Sequence, residues 1–178
     1  QCVVPTEVSS ICVDCAGRGR GNLFGSARTA RPRQWGSVRV SAQTPVVTYA
    51  IIGVCVALWV GDILTKGVIT QYLGFTPIHG LYQPWRILTT AFLHVNLMHI
   101  AFNMVSLYAI GRALEPALGR GPYFCLYLLS ALGGTLGVLG WVLIDPSSAL
   151  TVTVGASGAI FGLFGSVFVL QRAAGIDV

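Results

Sequence analysis

Four apolar runs, separated by short polar breaks, limit what this chain can become. The first extends from Val46 to Leu64 behind Pro45, with Thr48 and, near its end, Asp62 as its polar interruptions. About twenty apolar residues in a helix cross the ~30 Å hydrocarbon core of a bilayer. Further runs cover about residues 96–113, 122–144 and 157–170. The fourth is short for a full crossing, which suits a helix whose start opens into a water-filled cavity, not lipid. Composition agrees: 54% of the 178 residues are hydrophobic and 10% are charged, against about 25% charged in soluble domains. Such a surface cannot cover a globule in water. The expected fold class is an all-α membrane protein with four spans, carried by residues 44–178.

The net charge of +5 is concentrated in front of the first run, at Arg18, Arg20, Arg28, Arg31, Arg33 and Arg39. A basic arm can bind nucleic acid, but one placed directly before a span is explained more simply by topology. With the arm inside, nine basic residues fall on the inner side and two, Lys66 and Arg86, on the outer side. That asymmetry predicts a cytoplasmic N-terminus. Residues 1–43, rich in Gly, Arg, Ser and Thr, read as a flexible cytoplasmic arm. Within it, Cys12-x-x-Cys15 is half of a zinc-ribbon pattern, with Cys2 as a candidate third ligand; reduced thiols on an unstructured arm are the alternative. Cys55 and Cys125 sit inside apolar runs and read as buried small hydrophobes. The first apolar run lies too deep for a secretory signal. A start at Gln1 and an end at Val178 suggest a piece of a longer protein.

Residues 65–93 mix Lys66, His79, Gln83 and Arg86 with Tyr72, Phe75, Tyr82 and Trp85. The segment is too polar to span and too aromatic for a free linker, so it is expected to lie in the membrane interface. Three polar residues then occur where lipid disfavours them. His99 and Asn103 share a helix face, and His94 precedes them at the loop-to-helix junction. Such residues usually mark a site, although interhelical hydrogen bonding is the structural alternative. Neutral His and Asn both carry N–H donors suited to an oxyanion. Ser157, in Gly155-Ala156-Ser157-Gly158, opens the fourth span beside unpaired backbone N–H groups and the positive end of the helix dipole. An N-cap is the ordinary role for such a serine. Gly158 and Gly162 form a small-xxx-small pattern that admits a close helix. The string is not the G-x-S-x-G elbow of soluble hydrolases, because no strand precedes it.

Together these residues resemble the rhomboid family of intramembrane serine proteases. The resemblance covers about residues 45–170. It rests on Trp85-Arg86 in the first loop, His94-x-x-x-x-His99-x-x-x-Asn103 at the second span, Glu115 with Leu118-Gly119 at its end, and Gly155 to Gly162 at the fourth. It implies a rhomboid-like helical bundle of six spans, four of them present here, in a bacterial plasma membrane with the site open to the outside. It implies that Ser157 is the nucleophile and that His99 and Asn103 are oxyanion-hole donors. His94 would anchor the loop over the cavity, Phe161 would pack near the catalytic histidine, and Gly155 and Gly158 would shape the turn and the helix contact. The substrate would be a transmembrane protein, and no metal or cofactor is implied. Some rhomboids, notably of actinobacteria, are similar in carrying a cysteine-rich module of which Cys12 and Cys15 would be the tail.

In one respect the chain departs from the family. The general base is a histidine on the sixth span, whereas the histidines here are His79, His94 and His99. The expectation is therefore a nucleophile separated from its base, and a chain inactive by itself. Two other readings compete. A non-catalytic rhomboid-like protein that binds membrane clients is disfavoured by Ser157. A small transporter is disfavoured because Asp62, Glu115 and Asp145 all fall at span ends.

Overall fold

A computed structural model describes residues 44–80 and 82–173, together with two short strands near the start. Strands β1 (Val3–Pro5) and β2 (Ser10–Cys12) pair antiparallel, with Val3 opposite Cys12. This hairpin and the helices belong to separate units of the chain, divided after residue 34. Cys12 falls in β2, while Cys2, Cys15 and the arginines of the arm lie outside the described residues.

The second unit is all-α. Among the described residues three helices are long and apolar enough to cross a membrane: α1 (Val46–Leu64), α5 (Leu97–Leu118) and α6 (Arg120–Val142). The fourth, α7 (Ser157–Ala173), has 17 residues. Between α1 and α5 the loop holds α2 (Val68–Leu73), α3 (Pro77–Gly80), α4 (Arg86–Thr89) and a 3-10 turn, Thr90–Phe92. A second 3-10 turn, Pro146–Leu150, precedes α7.

Helix α5 continues past the expected boundary at residue 113. It runs through Arg112, Glu115 and Pro116, and Gly119 at φ 86° ends it. Pro116 is tolerated because it sits in the last turn, where a missing N–H strands a single carbonyl. Glu115 is helical for a different reason. It is 2% exposed, and its two carboxylate oxygens accept from the backbone N–H groups of Val47 and Thr48, each at 2.8 Å. The carboxylate thus caps the N-terminus of α1, satisfying two orphan donors and the positive dipole end. Thr48 Oγ1 donates to the same carboxylate at 2.8 Å and lies 3.1 Å from the Tyr123 hydroxyl. One turn earlier, Gly111 lets α1 come close: a Cβ there would stand 2.3 Å from Thr48 Oγ1.

The core lies where α1, α6 and α7 meet α5, and includes Ile51, Leu107, Leu114, Tyr127 and Leu163. Cys55 is buried in it, but Cys125 is exposed on α6. The expectation of a buried Cys125 fails because membership of an apolar run does not say whether a side chain meets protein or lipid.

The α6–α7 contact is backbone to backbone. A Cβ on Gly134 would stand 2.9 Å from Gly158 Cα, and one on Gly162 would stand 2.3 Å from Ser130 Cβ. Small residues four apart on both helices, Ser130/Gly134 and Gly158/Gly162, allow this approach.

The loop is fastened by polar groups. Arg86, 7% exposed, donates from Nη1 to the carbonyls of Gln71 and Gly74, both at 2.7 Å, and from Nε to Gln83 Oε1. Tyr127 and Thr135 of α6 donate to the carbonyls of Ala91 and Ile87, each at 3.0 Å. Asp62 holds the start of α2 through Thr70 N and Oγ1, each at 2.7 Å.

Candidate active site

The site is assembled by the segment that leads into α7. Phe75 and Thr153 exchange backbone hydrogen bonds of 3.1 and 2.7 Å, and Gly155 N–H donates to the Thr90 carbonyl at 3.0 Å. Thr90 Oγ1 also donates to the Thr153 carbonyl. The chain then turns at Gly155, whose φ of +131° disfavours any side chain, and enters α7.

Ser157 is the first residue of that helix. The first helical hydrogen bond runs from Ile160 N–H to the Ala156 carbonyl at 2.9 Å, so Ala156 holds the cap position. Among the described residues the Ser157 hydroxyl has no hydrogen-bond partner, and the residue is exposed. The serine is therefore not occupied in capping. Its own N–H and that of Gly158 also lack backbone partners beyond the helix, as the first turn of a helix leaves them.

His99 is brought to the same place by α5. Asn96 caps this helix, its side chain accepting from His99 N–H at 2.8 Å. The half-buried His99 ring reaches the Gly155 turn: a Cβ on Gly155 would stand 2.7 Å from His99 Nε2 and 3.6 Å from Ser157 Oγ. Imidazole and hydroxyl thus flank one point that only glycine leaves free. Asn103 is 7% exposed, and its Nδ2 donates to the His99 carbonyl at 2.8 Å, so in this arrangement the amide is engaged with its own helix.

His94 is 2% exposed, and its ring meets that of His99 edge to face with centroids 5.1 Å apart. Among the described residues neither ring nitrogen has a side-chain or backbone hydrogen-bond partner. Burial first, and His99 second, press its pKa down to about 4, so it is neutral at ordinary pH.

Two cavities meet at Ser157. One, about 280 Å³, is lined also by Asn103, Ser106, Ile160, Phe161 and Phe164. The other, about 110 Å³, lies behind the serine between Thr90, Gly134, Thr153 and Gly155. Phe161 is 78% exposed along the first cavity. A larger apolar cavity of about 630 Å³ lies between α1 and α6, away from this chemistry.

The sequence reading passed over several of these residues. Ser106 continues the His99/Asn103 face at helical spacing, and Asn96 carries a visible cap signal before an apolar run. Thr90 and Thr153 act through backbone pairing across the loop, which no local pattern reveals. His79 lies apart in the loop, lining a different pocket. Among the described residues no three His, Cys, Asp or Glu side chains gather as a metal site.

The family model for the Rhomboid domain matches residues 81–177. YdcA of Bacillus subtilis is 36% identical over 129 residues, covering 68% of this chain and 60% of that protein. RHOMBOID-like protein 5 of Arabidopsis thaliana is 40% identical over 85 residues, covering 48% of this chain and 26% of that protein. Rhomboid protease GluP of Bacillus subtilis is 37% identical over 83 residues, covering 47% of this chain and 15% of that protein. The chain thus spans less than two thirds of each of these relatives.

Proposed function

The chain belongs to the rhomboid family of integral membrane proteins, and from that premise we propose that the intact protein is an intramembrane serine endopeptidase with Ser157 as nucleophile. The observation that carries this reading is the state of the Ser157 hydroxyl: exposed, uncommitted, at a helix N-terminus and beside His99.

In this reading Ser157 Oγ attacks the scissile carbonyl of a transmembrane substrate. Its proton passes to a general base, expected from the histidine that the family carries on its sixth span. Neither His79, out in the loop, nor the buried His94 is placed to act as that base. The carbonyl oxygen, now negative, meets the free N–H groups of Ser157 and Gly158 and a donor from His99. Asn103 joins them by releasing its bond to the His99 carbonyl. One such donor is typically worth about 10²–10³ in rate. His94, uncharged and packed against His99, keeps the latter in place without adding a competing cation. The tetrahedral adduct collapses as the C–N bond breaks and the base returns its proton to the departing amine. Water, entering through the cavity lined by Asn103 and Ser106 and deprotonated by the same base, then attacks the acyl-enzyme and frees the Ser157 hydroxyl. The basic asymmetry supports an orientation with the arm of residues 1–43 in the cytoplasm, and the family resemblance supports a bacterial plasma membrane.

Labelling of the intact protein with a fluorophosphonate tests the nucleophile. Wild type is expected to label and Ser157→Ala to lose the signal. Equal labelling of the two would remove Ser157 from the mechanism.

A further inference from the structure

Arg86 raises a question that fastening the loop does not answer. The residue is 7% exposed, yet the partners of its guanidinium are two carbonyls and one neutral amide. Among the described residues no carboxylate pairs with it, and Asp62 is committed to Thr70. A buried charge ordinarily has a counter-charge. The guanidinium also has donors to spare. Nε and Nη1 are used, whereas Nη2 makes no hydrogen bond among the described residues.

Arg86 also lines a pocket. A cavity of about 310 Å³ is lined by Arg86 together with Thr70, Thr76, His79, Gln83 and Val152. The Thr70 hydroxyl is spent on Asp62, but the Thr76 hydroxyl, the His79 imidazole and the Gln83 amide N–H₂ beside a guanidinium still offer several donors to an oxyanion. A planar guanidinium matches phosphate particularly well. The surroundings indicate where the phosphate comes from. Tyr72, Tyr82 and Trp85 of the same loop are exposed, and such rings settle at the depth of lipid headgroups.

We propose that this loop pocket is a phosphate-binding site that seats a phospholipid headgroup on Arg86, supplying the missing counter-charge. The shared chemistry is a phosphate anion, and free phosphate is the other source it admits. The site is independent of Ser157 and of proteolysis.

The test uses the intact protein, stripped of lipid in detergent and titrated by native mass spectrometry. The probes are phosphatidylglycerol, diacylglycerol of the same chains, and inorganic phosphate. Two variants fill the pocket without touching the hydrogen bonds of Arg86: Val152→Trp and His79→Trp. Arg86→Lys, which loses the fork, is expected also to loosen the loop, so the filling variants decide. Wild type should retain one phosphatidylglycerol, bound about tenfold or more tighter than in either filling variant at unchanged melting temperature. Diacylglycerol should not be retained. Displacement of the lipid by millimolar inorganic phosphate would identify free anion as the occupant, and resistance would identify the headgroup; each supports a phosphate site at Arg86. Equal retention of phosphatidylglycerol in wild type and both folded variants, or equal retention of diacylglycerol, would overturn the proposal.

Discussion

Replacing Glu115 by alanine should unfasten α1 from the bundle. The carboxylate receives three donors, Val47 N–H, Thr48 N–H and the Thr48 hydroxyl, each at 2.8 Å. Thr48 is fully buried and Glu115 nearly so, so water cannot readily replace the lost acceptor. Each buried donor left unpaired costs about 1–3 kcal/mol, and removing one partner of a buried charged network typically costs about 3–5 kcal/mol. The expected loss for Glu115→Ala is therefore about 3–5 kcal/mol. Glu115→Gln keeps one oxygen but turns an N–H₂ toward a donor, so about half that loss is expected. The measurement is unfolding of the intact protein in mixed micelles, followed by far-UV circular dichroism. A cycle with Thr48→Val isolates the pair, and a coupling above about 0.5 kcal/mol is expected for residues in contact. If Glu115→Ala unfolds within about 1 kcal/mol of wild type, the carboxylate is not capping α1 as described.

Gly134→Val should destabilise by about 1–3 kcal/mol or more, because its Cβ would meet the Gly158 backbone at 2.9 Å, whereas Gly133→Ala, with nothing within 4 Å, should be neutral or slightly stabilising in the same unfolding assay. His94 is held neutral in the fold, with its pKa near 4 against 6.5 in the unfolded chain. The unfolded chain thus takes up the proton first, so stability should be flat above about pH 6.5 and fall between about 6.5 and 4 by about 3 kcal/mol; a His94→Gln variant with the same slope would refute this. Asn103→Ala should lower kcat of the intact protease by about 10²-fold with a smaller change in KM, measured on a transmembrane substrate. The 178-residue chain alone should show no Ser157-dependent cleavage of that substrate.

The three long apolar helices were legible because a bilayer demands long apolar runs, and α1 begins and ends where its run does. His99 and Asn103 were legible as a face because helical spacing needs no tertiary information. Ser157 was legible as the start of α7, but not as a residue free of capping duty, since that depends on Ala156 taking the cap position. Glu115 read as a boundary because a carboxylate at a span end ordinarily meets water; its partners lie 67 and 68 residues away, on α1. Arg86 read as one basic residue in a polar loop, because the carbonyls it holds are backbone groups with no side-chain signature. Gly134 gave no sign of contact until Gly158 was placed against it.

The two-residue ladder between Phe75 and Thr153 has a mechanical consequence. At about 1.5 Å per residue, the 17 described residues of α7 carry the chain about 25 Å from this ladder, on the scale of a hydrocarbon layer of about 30 Å. A free helix of that length would slide or tilt to match its membrane. Here its first turn is moored to the loop, so thickness mismatch must be absorbed away from the Ser157 end. The depth of Ser157 then becomes a property of the loop's anchorage, and membranes of different thickness would present the same serine at the same distance from the headgroups on the loop's side.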